Sequence, residues 1–100
     1  MSRRTVHVES VCAALADPTR LRLLALMGRR EVCVCDLQRA VGRSQPAVSR
    51  HLAFLRRHGL VTARKEGRWC HYRRAPLPTR LEALVDLAAP PVRRTPRGCQ

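Results

Sequence analysis

Two cysteines separated by one valine are the residues of this sequence best suited to chemistry. They are Cys33 and Cys35, in the stretch VCVCDLQ. Thiolates prefer soft, thiophilic ions, and two thiolates this close can hold one ion in a small chelate ring. Because a helix turns by about 100° per residue, the two side chains cannot both lie inside one helix and converge. We therefore expect Cys33 just before a helix and Cys35 in its first turn, where the positive helix end favours thiolates.

Arginine dominates the charged residues. Twenty Lys and Arg residues, nineteen of them arginine, stand against seven Asp and Glu, which gives a formal net charge of +13. Such a balance suits a polyanionic partner such as double-stranded DNA. The chain shows neither a signal peptide nor an apolar run of membrane-spanning length, so we expect a cytoplasmic protein with no membrane partner. In that reducing compartment the five cysteines are expected to be thiols or metal ligands.

The spacing of apolar residues predicts four helices in the first 60 residues. Asp17 caps the second helix, Pro18 takes its first position, and Ser44 caps the fourth. A tight turn at Gly42 and Arg43 joins the third and fourth helices, as in a helix-turn-helix. The predicted ranges are 8–15, 18–27, a third helix that starts between 33 and 36 and ends at 41, and 45–59.

A basic hairpin and a last helix follow. Two strand-like runs flank Lys65 to Arg68 and predict a β-hairpin, or wing. In the last helix, Thr79 and Glu82 have the spacing of a capping box. Its apolar stripe has few core partners left in the chain, so we expect it to pair with a second subunit. That stripe consists of Leu81, Leu84, Val85 and Ala88.

The predicted fold is therefore mainly α, a homodimeric winged helix-turn-helix in the order α-α-α-α-β-β-α. Residues 1–88 are expected to form one DNA-binding and dimerisation domain. Residues 89–100, rich in proline and arginine, are expected to form a disordered basic tail.

Four stretches, in this order, resemble the ArsR/SmtB family of metal-responsive repressors: LADPTRLRLLALM, EVCVCDL, SQPAVSRHLAFLRRHGLV and EGRWCHYR. The resemblance covers roughly residues 8–88 and is closest to the arsenic-sensing members. It implies a repressor that binds operator DNA as a dimer and leaves it when trivalent arsenic or antimony binds cysteine thiolates. Cadmium or lead is the alternative inducer, and no organic cofactor is implied.

The same resemblance assigns DNA-binding residues. Gln45, Ser49 and Arg50 match the operator contacts of the family, and in a major groove glutamine can pair with adenine and arginine with guanine. Residues of the preceding turn and of the wing are expected to contact the DNA backbone or minor groove. This second set consists of Arg43, Ser44, Arg64, Lys65 and Arg68.

The third sulfur donor is left open by the sequence. Several arsenic sensors carry a further cysteine one turn beyond the second, where this chain has Gln38. Because related cadmium and lead sensors use N-terminal cysteines, the resemblance favours Cys12, from the same or the partner subunit. Packing in an apolar stripe with Val8 and Leu15 is an equally consistent role for Cys12. The other candidates are Cys70, Cys99 and a cellular thiol.

Three alternative functions compete with metalloid sensing. Cys33 and Arg39 have the C-x5-R spacing of thiol phosphatases, but the intervening VCDLQ lacks the glycine and serine of an oxyanion loop. The chain is therefore not expected to be an enzyme. A repressor that senses oxidation, through a disulfide between Cys12 and Cys33 or Cys35, keeps the same fold. An architectural protein without a ligand would bind DNA with salt dependence but little sequence preference.

Overall fold

The computed structural model describes residues 8–28 and 30–88, so the tail predicted at 89–100 lies outside the described residues. None of the helices in these two ranges is long and apolar enough to cross a membrane. The predicted helices, hairpin and last helix are all present, which confirms the winged helix-turn-helix. The elements are α1 Val8–Leu15, α2 Pro18–Met27, β1 Val32–Cys33, α3 Val34–Val41, α4 Gln45–Arg57, β2 Val61–Glu66, β3 Trp69–Arg74 and α5 Thr79–Ala88.

The wing belongs to a three-stranded antiparallel sheet with the order β1-β3-β2. β2 and β3 form the predicted hairpin. The connector before α3 contributes the short strand β1, in which Val32 pairs with Tyr72 and Cys33 pairs with His71 of β3. The element order is therefore α-α-β-α-α-β-β-α, and the first thiol is attached to the wing by the sheet.

α2 forms the centre of the core. The Asp17 carboxylate accepts hydrogen bonds from the amides of Thr19 at 2.8 Å and Arg20 at 3.2 Å, which confirms the predicted cap. Burial acts to raise the pKa of Asp17, but these amides and the nearby Arg20 and His51 outweigh it, so the pKa is lowered. Behind this cap, Leu23, Leu24 and Met27 are buried.

The α3–α4 turn requires a glycine. Gly42 has φ 66°, in the left-handed region that side chains disfavour. The Ser44 hydroxyl then accepts a hydrogen bond from the Ala47 amide at 3.3 Å and starts α4. The inward stripe of α4 has no exposed surface; its members are Val48, Leu52 and Leu55.

The apolar face predicted for α1 is wrong for Val8 and Cys12. Val8 is 67 % exposed and Cys12 is also exposed, whereas Val11 and Ala14 are buried. The helix therefore turns the small alanine and one valine toward the core. Consequently, Cys12 does not have the apolar core role that its spacing allowed.

The predicted capping box of α5 is also wrong. Thr79 is the first helical residue, and the Glu82 amide donates to the carbonyl of Pro78 at 2.9 Å. The Glu82 carboxylate instead accepts a hydrogen bond from Arg74, also at 2.9 Å. On the same helix Val85 is buried while Leu84 and Leu87 remain exposed, so α5 presents apolar side chains outward.

Arg74 joins three elements in the interior. Its side chain is 3 % exposed, and its Nε and Nη2 donate to the Leu24 carbonyl at the end of α2, at 3.2 and 2.9 Å. Nη1 and Nη2 also reach the carboxylates of Glu82 and Asp86 on α5. A buried cation is tolerated because it donates four hydrogen bonds and is paired with two carboxylates.

Candidate nucleic-acid interface and thiol pair

The predicted base-reading residues lie on the outer face of α4. Gln45, Ser49 and Arg50 are exposed, opposite the buried stripe of that helix. Arg43 and Ser44, in the preceding turn, are exposed as well. The structure therefore places these five residues on and beside the first two turns of one helix.

Arg20 connects α4 to α1 and α2. The Arg20 guanidinium lies 3.6 Å from the centre of the Phe54 ring, and its Nε donates to His51 Nδ1 at 3.3 Å. Its Nη1 also reaches the Ala13 carbonyl of α1 at 3.2 Å. His51 thus has a packing role, and α1 and α2 fix the orientation of α4.

The three basic residues of the wing are not equivalent. Lys65 and Arg68 are exposed, with no ion pair inside residues 8–28 and 30–88. Arg64 forms a forked pair with Glu31, with Nε and Nη2 at 2.9 and 2.8 Å from the two carboxylate oxygens. This hydrogen bonding lowers the pKa of Glu31 and raises the pKa of Arg64. Arg64 thereby links the wing to the segment just before the thiols.

The thiol pair lies where a strand becomes a helix. Cys33 is the extended N-cap residue of α3, with φ −66° and ψ 143°, and Cys35 lies in the first turn, which confirms the predicted placement. The two sulfur atoms are 2.8 Å apart, close enough for one soft ion to bind both. Cys33 is buried and Cys35 is half-buried.

A cleft opens beside Cys35. It has a volume of about 370 Å³ and is lined by Cys35, Gln38, Arg39, Gly42 and Arg43. Sequence reasoning identified Arg43 and noted Gln38, but it did not bring them together with Cys35. The missed signal is the spacing: residues 35, 38 and 39 share one face of α3, and the turn folds residue 43 back toward it.

Cys12 and Cys70, the other two cysteines of the described residues, do not join this pair in a metal-binding group. Among the described residues, no group of three or more His, Cys, Asp or Glu side chains is arranged to hold one ion. Cys12 is exposed on α1, while Cys70 lies on β3 beside Tyr72. Burial and the Cys70 hydrogen bond raise the pKa of that tyrosine. Cys99 lies outside the described residues.

Comparison with known proteins relates this chain to one family of bacterial regulators. Residues 17–63 match the model of a family described as bacterial regulatory protein, arsR family. The chain is 49 % identical over 76 residues to the arsenical resistance operon repressor of Escherichia coli, covering 74 % of this chain and 65 % of that protein. It is 44 % identical over 77 residues to the arsenic resistance transcriptional regulator ArsR1 of Pseudomonas putida, covering 75 % and 60 %. The matches thus span less than two thirds of either relative.

A solved structure shares the fold. It is the solution structure of a homodimeric winged helix-turn-helix DNA-binding domain from Mycobacterium bovis, with a TM-score of 0.68 and 35 % sequence identity. The alignment covers 80 % of this chain and 72 % of that one.

Proposed function

The chain belongs to the ArsR/SmtB family of transcriptional regulators, close to its arsenic-resistance repressors, and we propose that it is a metalloid-responsive repressor. The matched relatives are DNA-binding regulators, not enzymes, which agrees with the expectation that the C-x5-R spacing has no catalytic role. In this proposal the chain binds operator DNA as a homodimer in the cytoplasm. Trivalent arsenic or antimony then releases it.

DNA recognition would divide between the helix and the wing. Gln45, Ser49 and Arg50 read base edges, because their exposed side chains project from the first turns of a helix that fits a major groove. Arg43, Ser44 and the wing residues Lys65 and Arg68 hold the backbone. Arg64 also binds the backbone, by exchanging its ion pair with Glu31 for one with a phosphate. A guanidinium binds either a carboxylate or a phosphate as a fork.

Dimerisation would use α1 and α5. These helices contact each other and present apolar side chains outward, with Val8, Leu84 and Leu87 all exposed in the single chain. A large exposed apolar patch is typical of a subunit interface. The homodimeric structure from Mycobacterium bovis supports a homodimer. Two reading helices are then presented to two half-sites of an operator.

The single observation that carries the sensing function is the position of the thiol pair. Cys33 and Cys35 have converging sulfurs at the junction of β1 and α3, and this junction touches both DNA-contacting elements. Cys33 is paired with His71 in the wing, and α3 packs against α4. Holding both sulfurs on one ion fixes the β1–α3 angle, so the wing and the reading helix shift relative to each other. Ion binding at the thiol pair is then coupled to DNA binding if only one arrangement of the wing and α4 fits DNA.

The test uses fluorescence anisotropy to measure the release of labelled operator DNA as arsenite is added to reduced protein. We expect release from the unmodified chain and no release from Cys33→Ser or Cys35→Ser, because each variant leaves only one sulfur in the pair. Cys70→Ser is the matched control, since it removes a thiol on β3 from outside the pair, and it should respond normally. Arsenite release from both serine variants would contradict the site.

The same titration identifies the signal. Cadmium or lead acting in place of arsenite would indicate the metal-sensing alternative. Peroxide acting where arsenite does not would indicate an oxidation sensor that uses Cys12.

A further inference from the structure

We propose that Trp69, at the tip of the wing, is a DNA contact whose indole ring packs against a deoxyribose of the operator backbone. This inference rests on the proposed function and adds an apolar contact to the charged contacts assigned to the wing. The group recognised is the sugar that joins two successive phosphates of one DNA strand.

Trp69 is exposed at a distance from the proposed dimer interface. Four large apolar side chains of the described ranges are exposed, namely Val8, Leu84, Leu87 and Trp69. The first three lie on α1 and α5, the helices of the interface. Trp69 is the first residue of β3, and Arg74, which contacts α5, is the last. Because a strand rises by about 3.4 Å per residue, Trp69 lies about 17 Å along β3 from that contact.

A tight turn holds Trp69 next to the tip of the wing. Glu66 pairs directly with Trp69, so only Gly67 and Arg68 lie between the two strands. Gly67 has φ 62°, the conformation that a two-residue hairpin turn requires of a glycine in its first position. The turn fixes the register of the strands, so Trp69 stays beside the exposed Arg68.

Trp69 lies between two cations that the proposed function assigns to phosphates. Residues that pair across two strands share a face, so Trp69 and Glu66 lie on one face of the hairpin. Arg64, two residues before Glu66, lies on the same face and is a diagonal neighbour of Trp69. Arg68 follows on the other side, in the turn. A ring between two phosphate-binding cations faces the sugar that joins the two phosphates.

The electrostatics of this end of the wing favour the DNA backbone. Arg64, Lys65 and Arg68 are three cations and Glu66 is one carboxylate, which leaves a formal charge of +2. The Glu66 carboxylate is 3.5 Å from Arg64 Nη1, so the acid beside Trp69 is paired. The cations therefore bring the ring to the backbone.

The sugar is the part of the backbone that suits an indole. Its carbon–hydrogen face is apolar, whereas the phosphates on either side are charged. Tryptophan combines a large apolar ring with one N–H donor, so it fits a surface that is apolar in the middle and polar at the edge. Since this contact neutralises no phosphate, it releases no counterions and should not change the salt dependence of binding.

Fluorescence of the unmodified chain tests the contact directly. Trp69 is the only tryptophan of the sequence, so all tryptophan emission reports this residue. Acrylamide quenching is measured on the protein alone and on its complex with unlabelled operator duplex. We expect the quenching constant to fall by about half in the complex, because the sugar covers the exposed part of the ring. Inorganic polyphosphate is the matched probe, since it offers phosphates without deoxyribose, and it should leave the constant unchanged.

Two variants separate the ring from the charges around it. Trp69→Ala should raise the Kd for labelled operator by about tenfold, and Trp69→Phe, which keeps an aromatic ring, by about threefold. The salt dependence of affinity should be the same in both variants as in the unmodified chain. If Trp69 only stabilised the hairpin, its loss would also loosen the phosphate contacts of Arg64 and Arg68, and the salt dependence would decrease.

Four results would overturn the inference while leaving the proposed function intact. They are unchanged quenching in the operator complex, equal protection by polyphosphate, unchanged operator affinity in Trp69→Ala, and a weaker salt dependence in that variant. Failure of the unmodified chain to bind operator DNA at all would instead overturn the proposed function itself.

Discussion

At the scale of single residues, one buried cation joins distant parts of the fold. The burial of Arg74 depends on Glu82 and Asp86, which reach it only after α5 has packed. Because Arg74 follows another arginine in a basic hairpin, it looks like a surface charge in the sequence, and a contact between distant elements leaves no local pattern. Cys33 and Cys35, by contrast, could be placed from the sequence, because a one-residue spacing is incompatible with two convergent side chains inside a helix.

Arg74→Met tests this buried cation. The variant keeps much of the side-chain volume but removes four hydrogen bonds, and the Leu24 carbonyl loses two of its donors. We expect the free energy of unfolding, from urea denaturation, to fall by about 3 kcal/mol. Arg80→Met removes an exposed arginine from α5 and should change it by less than about 0.5 kcal/mol. Equal losses in the two variants would contradict the role assigned to Arg74.

At the scale of elements, the spacing of apolar residues predicted those features that depend on local sequence alone. The buried stripes of α2 and α4 and the bounds of the hairpin follow from apolar spacing and from local caps and turns. The buried face of α1 did not follow. This helix has apolar residues on more than one side, and packing against α2 and α5 decides which of them is covered. The strand β1 is only two residues long, too short for any alternation to show.

Asp17 provides a test at this scale, because α2 begins at its carboxylate. Asp17→Ala should lower the free energy of unfolding at neutral pH by about 1 kcal/mol, since two amides lose their acceptor. Asp17→Asn retains an acceptor and should cost less.

The pH dependence of this cap has a definite sign. The folded pKa of Asp17 lies below the ordinary value of an aspartate, so its charge stabilises the fold above that ordinary pKa, and the effect is lost as the pH falls through the folded pKa. Urea titrations at acidic pH should show the wild-type advantage over Asp17→Asn disappearing. An advantage that grew on acidification would contradict the cap.

At the scale of the whole molecule, the distribution of carboxylates decides where the positive charge is available. Five of the seven Asp and Glu residues form ion pairs inside the described part of the chain, at the wing edge, on α3 or around Arg74. Within those residues, Arg43, Arg50, Lys65 and Arg68 form none. Positive charge without a carboxylate partner is therefore exposed at the α3–α4 turn, α4 and the wing, where the proposed operator lies.

Salt dependence measures that arrangement. DNA affinity should fall linearly with salt on a double logarithmic plot, because each neutralised phosphate releases counterions. In a homodimer Arg68→Ala removes two such contacts, so the magnitude of the slope should decrease by about two. Arg68→Lys keeps the charge and should retain the slope even if the affinity changes. Since both variants alter the same exposed wing position, an unchanged slope in Arg68→Ala would show that this residue does not contact the DNA backbone.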